Sequence, residues 1–134
     1  MAGTSESSRR LKVVIADDSQ AMRDRVSRLF AGEMDVVATV SDGESVVKAV
    51  QDLRPNLVIL DIAMPVQNGM SAARKIRDMG ISVPIVFLSV QSDPEFREAA
   101  VQLGASYVSK ARMRSDLGVA IRDALTGRIF VSKP

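Results

Sequence analysis

The chain has 134 residues, 46% hydrophobic and 25% charged, a balance that fits one globular domain long enough to bury a core. It contains neither cysteine nor histidine, which excludes disulfides, thiolate nucleophiles, Cys-based metal sites and any histidine base or phosphohistidine of its own. Its formal charge of +2 comes from scattered Lys and Arg, with only small groups at Arg9, Arg10, Lys12 and at Arg112, Arg114, a pattern of solvated surface and not of a nucleic-acid patch.

No membrane-length apolar run or secretory signal is recognised, and the lack of cysteine fits a reducing, cytoplasmic compartment. Residues 1–10 (MAGTSESSRR) are small and polar, and a disordered tail is expected there. Residues 11–16 read as a first strand ending at Asp17 and Asp18, with Ser19 as N-cap of a helix carrying Met22, Val26, Leu29 and Phe30 at helical spacing. Residues 34–40 alternate less cleanly and predict a second strand at a sheet edge. Ser41, Asp42, Gly43 and Glu44 resemble a capping box opening a helix to about Leu53, which Pro55 stops.

The run Asn56-Leu57-Val58-Ile59-Leu60 then leads straight into Asp61, as in a strand buried on both faces that ends on a carboxylate. Pro65 belongs to the turn that follows. Asn68 and Gly69 open a third helix to about Met79, ended by Gly80. Residues 84–89 form another buried strand, and Asp93-Pro94 pairs an N-cap with proline at the first helical position. That helix ends near Gly104. A short fifth strand over 105–109, a final helix over 115–126 and a tail or linker start over 128–134 complete the chain. Five β–α units with right-handed crossovers predict a doubly wound α/β domain, flavodoxin-like, with five parallel strands in order 2-1-3-4-5 and five helices.

In such a sheet the carboxyl ends of the strands share one edge, where ligands bind. That edge would gather Asp17, Asp18, Asp61, Ser89 and Lys110. Three close carboxylates repel, a divalent cation relieves them, and all-oxygen ligation suits Mg²⁺. Asp18 and Asp61 are the expected direct ligands, with Asp17 acting through water. Asp61 is the candidate nucleophile toward phosphorus, Lys110 and Ser89 the groups that meet phosphoryl oxygens.

Asp17, Asp18, Asp61 with Met64, Pro65 and Gly69, then Ser89, Tyr107 and Lys110, resemble in order and spacing a response-regulator receiver domain of two-component signalling, over about residues 11–127. The segments VVIADDS, LRPNLVILDIAMP and TGRIFVS are most similar to the NarL/FixJ (LuxR-type) class. The resemblance implies a phosphoryl group taken by Asp61 from a sensor histidine kinase, and the backbone carbonyl of Ala63 as a further Mg²⁺ ligand. It also implies a Ser89/Tyr107 switch pair and a partner surface for a homodimer or an effector domain. DNA would be contacted only through a C-terminal helix-turn-helix domain that is not within these residues, and no membrane partner is implied. Ala111 stands where many receivers have proline. Val90 stands where Ala or Gly is frequent, and its branched side chain is expected to narrow access to the phosphoryl group. Ala63 offers no polar side chain to orient a hydrolytic water, though Gln91 is placed to help, so a fairly long-lived phosphorylated state is expected.

Each residue alone has a plainer reading. Asp17 and Asp18 suit a helix N-terminus, Ser89 a strand end, Tyr107 an edge strand with its ring packed and hydroxyl wet, and Lys110 the surface. Met22, Met70 and Met79 suit packing. A haloacid-dehalogenase-type phosphatase needs an acid two residues after the nucleophile, where Ala63 stands. A nucleotide or flavin site needs a phosphate-cradling loop, and residues 16–21 contain no glycine. A degenerate receiver acting only as a docking module is the remaining alternative.

Overall fold

The structure, a computed structural model, describes residues 10–30, 32–64, 67–90 and 93–133. The elements are β1 (Leu11–Ala16), α1 (Gln20–Leu29), β2 (Met34–Val40), α2 (Gly43–Leu53), β3 (Leu57–Asp61), α3 (Gly69–Asp78), β4 (Ile85–Ser89), α4 (Pro94–Gln102), β5 (Ser106–Ser109), a 3₁₀ turn (Lys110–Arg112) and α5 (Met113–Leu125). All strand pairs are parallel and the order is β2-β1-β3-β4-β5, as the β–α alternation predicts. β3 and β4 are buried at every residue, whereas β2 is only partly covered, consistent with its place at the edge.

Strand side chains alternate between two cores. Val14, Leu60, Phe87 and Tyr107 pack with α2, α3 and α4, while Ile15, Ile59, Leu88 and Val108 pack with α1 and α5. The helix starts follow local chemistry. Ser19, Asn68 and Asp93 cap α1, α3 and α4 by accepting from backbone amides, and Pro94 occupies the first turn of α4. The cap of α2 differs by one residue from expectation. Asp42, not Ser41, accepts from the Ser45 amide at 2.8 Å on one carboxylate oxygen and from the Ser45 hydroxyl at 3.1 Å on the other.

Two further differences lie near the C-terminus. α5 begins at Met113, two residues earlier than predicted, because Met113 is a core residue that anchors the first turn against the sheet. Residues 128–132, expected as a tail or linker, lie along the outer edge of β5. The Tyr107 amide donates to the Phe130 carbonyl at 2.8 Å, the Ser132 amide donates to the Tyr107 carbonyl at 2.9 Å, and Val131 bridges Tyr107 in parallel. The edge strand has open donors and acceptors, and this segment takes them up. At the other end, Arg10 donates to the Met34 carbonyl at 3.3 Å. The rest of the expected N-terminal tail, and Pro65, Gln91 and Pro134, lie outside the described residues.

Candidate functional site

The carboxyl ends of β1 and β3 place Asp17 and Asp61 side by side, since Ala16 is in register with Leu60. β5 ends at Ser109, so Lys110 starts the 3₁₀ turn beside them. Its ammonium lies 2.8 Å from Asp17 Oδ2 and 3.4 Å from Asp61 Oδ2. Asp17 and Asp61 are buried and Asp18 is exposed, and the three offer oxygens all within 4.8 Å of one another. Backbone amides complete the inner side. Ser19 donates to Asp17 Oδ1 at 2.9 Å and Ala63 to Asp61 Oδ1 at 3.3 Å. Arg23, reaching from α1, donates to the Asp17 carbonyl at 2.6 Å.

The cluster is electrostatically unsatisfied. Burial, and then the neighbouring Asp17 charge, push the Asp61 carboxyl up to about 6, against the pull of Lys110 and the Ala63 amide. Burial alone would lower the Lys110 ammonium, but its bond to Asp17 and the charges of Asp61 and Asp17 outweigh that and raise it. Asp17 Oδ2 is buried, and the Lys110 ammonium at 2.8 Å is its partner. Three carboxylates against one ammonium, with one of the carboxylates facing solvent, fit a small hard cation with all-oxygen ligands.

The loop after β3 approaches α2 and α3 closely at two glycines. A Cβ on Gly69 would overlap the Asp61 carbonyl oxygen, and one on Gly43 would overlap the Gln67 carbonyl oxygen. The Gly69 amide donates to the Ile62 carbonyl at 2.7 Å, which draws the start of α3 against the strand end. Ser89 is buried one residue past the partner of Asp61, in register with Ser109. Alternation puts it on the same face as Phe87 and Tyr107. Tyr107 is wholly buried, not wet at its tip, because residues 130–132 cover β5 and Arg97 lies 5.8 Å over the ring. Val90, by contrast, is 71% exposed. Met70 is buried, Met22 packs against the second core and Met79 sits at the surface, in keeping with packing roles.

The structure also brings in residues that sequence reading missed. Asp116 is buried and accepts from Ser132 at 2.7 Å, Ser115 at 2.9 Å and Arg112 at 3.1 Å. Only the Arg112 contact has a local signal, the i,i+4 spacing; the Ser132 partner is sixteen residues away. A cleft of ≈ 880 Å³ opens at the opposite edge of the sheet between Val50, Arg54, Pro55, Met79, Ile81 and Pro84, with no carboxylate in its lining.

Comparisons with known proteins agree with this geometry. The sequence profile described as the response regulator receiver domain matches residues 13–122. The transcriptional regulatory protein DegU of Brevibacillus brevis is 31% identical over 125 residues, covering 91% of this chain and 53% of DegU. A protein-glutamate methylesterase/protein-glutamine glutaminase of a Nocardioides species is 35% identical over 127 residues, covering 89% of this chain and 35% of the enzyme. The chain thus spans about half the length of DegU and a third of the methylesterase. The crystal structure of a LuxR-family two-component response regulator from Aurantimonas superposes with a TM-score of 0.84 at 26% identity, over 93% of this chain and 91% of that one. No described helix is long and apolar enough to cross a membrane. The acidic cluster at the strand ends, the strand order and these similarities lead to one assignment: the chain belongs to the response regulator receiver domain family of two-component systems, and within it is most like the NarL/LuxR-type receivers.

Proposed function

We propose that Asp61 is the phosphoryl acceptor of this receiver and that a sensor histidine kinase is its donor. The single observation that carries this is the buried, strand-end Asp61 held 3.4 Å from the Lys110 ammonium in a cluster of three carboxylates. An Asp61 oxygen attacks phosphorus, the bond from phosphorus to the donor's histidine nitrogen breaks, and the product is an acyl phosphate on Asp61. Lys110 neutralises a phosphoryl oxygen, and Ser89 donates a hydrogen bond to another. Asp18, Asp61 and the Ala63 carbonyl would hold Mg²⁺ directly and Asp17 through water. The Ala63 amide already lies against Asp61 Oδ1, which keeps that residue beside the carboxylate. Bound Mg²⁺ would neutralise charge on the carboxylates and on the incoming phosphoryl oxygens.

Catalysis beyond self-phosphorylation and self-dephosphorylation is not part of this reading. Transcription control, by way of a C-terminal DNA-binding domain, is the proposed output, supported by the similarity to DegU, a transcriptional regulatory protein, and a cytoplasmic location suits it. Phosphorylation would bias two packing states. Tyr107 already lies inside, so the phosphoryl group is proposed to favour this arrangement through Ser89 and not to drive the ring in from outside. The surface of α4, β5 and α5, or of α1 and α5, is the expected face for a homodimer or for release of an effector domain.

The test is intact-mass measurement with a small acyl-phosphate donor. Wild type should gain one acid-labile phosphoryl group, chelation of Mg²⁺ should suppress it, and Asp61→Asn should abolish it. Equal labelling of the Asn variant would remove Asp61 from the role. For the switch, a fully occupied Ser89→Ala variant with a beryllofluoride mimic should lose the amide shifts of residues 107–112 seen in wild type.

A further inference from the structure

Lys110 can meet a phosphoryl oxygen only if its backbone is held. Its side chain reaches the two aspartates from the first residue of a single 3₁₀ turn, at the end of an edge strand. A turn that short has little intrinsic stability. Both of its ends are pinned by one network that runs through the C-terminal segment.

The ladder between β5 and residues 130–132 is regular at Tyr107 and breaks at Ser109. A parallel ladder that uses the Phe130 carbonyl and the Ser132 amide would next pair the Ser109 amide with the Ser132 carbonyl. Instead, that carbonyl accepts from the Arg97 guanidinium, and the Ser109 amide donates to the Ser132 hydroxyl oxygen at 3.1 Å. The Ser132 hydroxyl proton goes to Asp116 Oδ2 at 2.7 Å, which leaves its lone pair to face Ser109. Asp116 in turn accepts from Arg112 Nε at 3.1 Å, the last residue of the turn. Ser132 therefore fixes the residue before Lys110, and Asp116 fixes the end of the turn that Lys110 begins.

We propose that Ser132, backed by Asp116, is a positioning residue for Lys110, so that the segment beyond α5 is a working part of the Asp61 site. The proposal rests on the reading of Asp61 as phosphoryl acceptor for its consequence in rate, but its structural half stands without phosphorylation. A side chain at position 132 without a hydroxyl leaves the Ser109 amide without this acceptor and Asp116 without its shortest donor. The turn then loosens, and the ammonium is no longer set between Asp17 and Asp61. Misplacement of a catalytic charge by about 1 Å can cost up to two orders of magnitude in rate.

A double-mutant cycle on the full chain tests it, with Ser132→Ala, Lys110→Ala and the double variant. The first readout is the amide spectrum of the unphosphorylated protein. Ser132→Ala should shift the Asp17 and Asp61 amides in the presence of Lys110 and leave them unmoved in the Lys110→Ala background. The second is the labelling rate with the acyl-phosphate donor at saturating Mg²⁺. Ser132→Ala should slow it about tenfold, with the Mg²⁺ concentration for half-maximal rate unchanged, and should add nothing to Lys110→Ala. Asp116→Asn, which keeps the shape of the network, should reproduce both signs and serves in the cycle if Ser132→Ala does not fold. Equal effects of Ser132→Ala with and without Lys110, or no effect in either readout, would overturn the positioning role. Failure of wild type to be labelled at all, with the amide couplings intact, would count against the acceptor reading and not against this one.

Discussion

Asp61 and Asp116 sit at the two ends of one short turn, and the protein treats them oppositely. Both are buried carboxylates. Asp116 receives three side-chain donors, chief among them Ser132, and is held below the usual carboxylate range. Asp61 has one long amide contact, a shared ammonium and a neighbouring carboxylate, and burial pushes it up to about 6. The lesson is that burial alone does not mark a reactive acid. What separates the two is the number of donors aimed at each, since three side-chain donors occupy most of the acceptor capacity of Asp116 and stabilise its charged form, whereas Asp61 keeps more of its capacity for a metal or for phosphorus.

The largest effect that would sharpen this contrast is expected at Gly69. Gly69→Ala puts a methyl group where the Asp61 carbonyl oxygen lies, so the strand end or the start of α3 must move. A loss of about 2–4 kcal/mol is expected, a Tm lower by about 8–16 °C. The amides of Asp61 to Ala63 should shift while those of Ser115, Asp116 and Ser132 stay in place. If both networks move together, the two aspartates do not belong to separable regions.

Asp116→Asn comes next. The amide keeps the shape but loses the charge that Ser132, Ser115 and Arg112 point toward, and a cost of about 1–3 kcal/mol is expected in denaturant unfolding. A neutral outcome would mean that Asp116 is not the donor-stabilised acid the contrast requires.

Asp61→Asn should carry the opposite sign. A carboxyl whose folded-state pKa lies above its unfolded value of 3.8 binds its proton more tightly when folded, so its ionisation lowers stability above pH 6. That penalty fades as pH falls from 6 toward 4. At pH 7.5, Asp61→Asn is therefore expected to gain about 1–2 kcal/mol, less than the full shift would give because Asp18 and solvent screen one side. The gain should vanish near pH 4 and shrink when Mg²⁺ binds wild type. Asp116 works the other way: its contribution is present above 3.8 and is lost as pH falls through its lowered folded value. Matched unfolding curves of both variants at pH 7.5 and pH 4.5 would show the two signs, and a constant gain for Asp61→Asn across that range would remove the raised pKa.

The sequence shows one of these two regions plainly and hides the other. Asp17, Asp61, Ser89 and Lys110 each end or follow an apolar run, so once the runs are read as strands of one parallel sheet, their common edge follows. The register of β1 on β3 and the Lys110 contacts bear out the gathering of Asp17, Asp61 and Lys110. Asp116 lies inside an amphipathic helix, where an acidic residue ordinarily marks the solvent face, and Ser132 lies in a stretch with no periodicity. Their partnership is made by β5 needing cover on its outer edge, a requirement of the assembled sheet that no local pattern carries. The burial of Tyr107 has the same origin: an edge strand predicts a wet hydroxyl only if nothing lies against the edge, and residues 130–132 lie there.

The smallest effect concerns access to Asp61 and not its charge. A β-branched side chain after Ser89 is expected to narrow the path of a hydrolytic water, which must reach phosphorus in line with the breaking bond. In the structure Val90 is 71% exposed, so most of its surface faces solvent and only a small part of it can lean toward the site. It donates no hydrogen bond and carries no charge, so it cannot alter the electrostatic balance that sets Asp61 apart from Asp116. Val90→Ala is therefore expected to speed loss of the phosphoryl group by no more than about twofold, equivalent to ~0.4 kcal/mol of barrier. The measurement is decay of the phosphorylated mass after the donor is removed, with Gly69→Ala and Ser132→Ala alongside. A slower or unchanged rate in Val90→Ala would reject crowding, and an increase of tenfold would mean that this side chain covers the acyl phosphate far more than its exposure in the unphosphorylated protein implies.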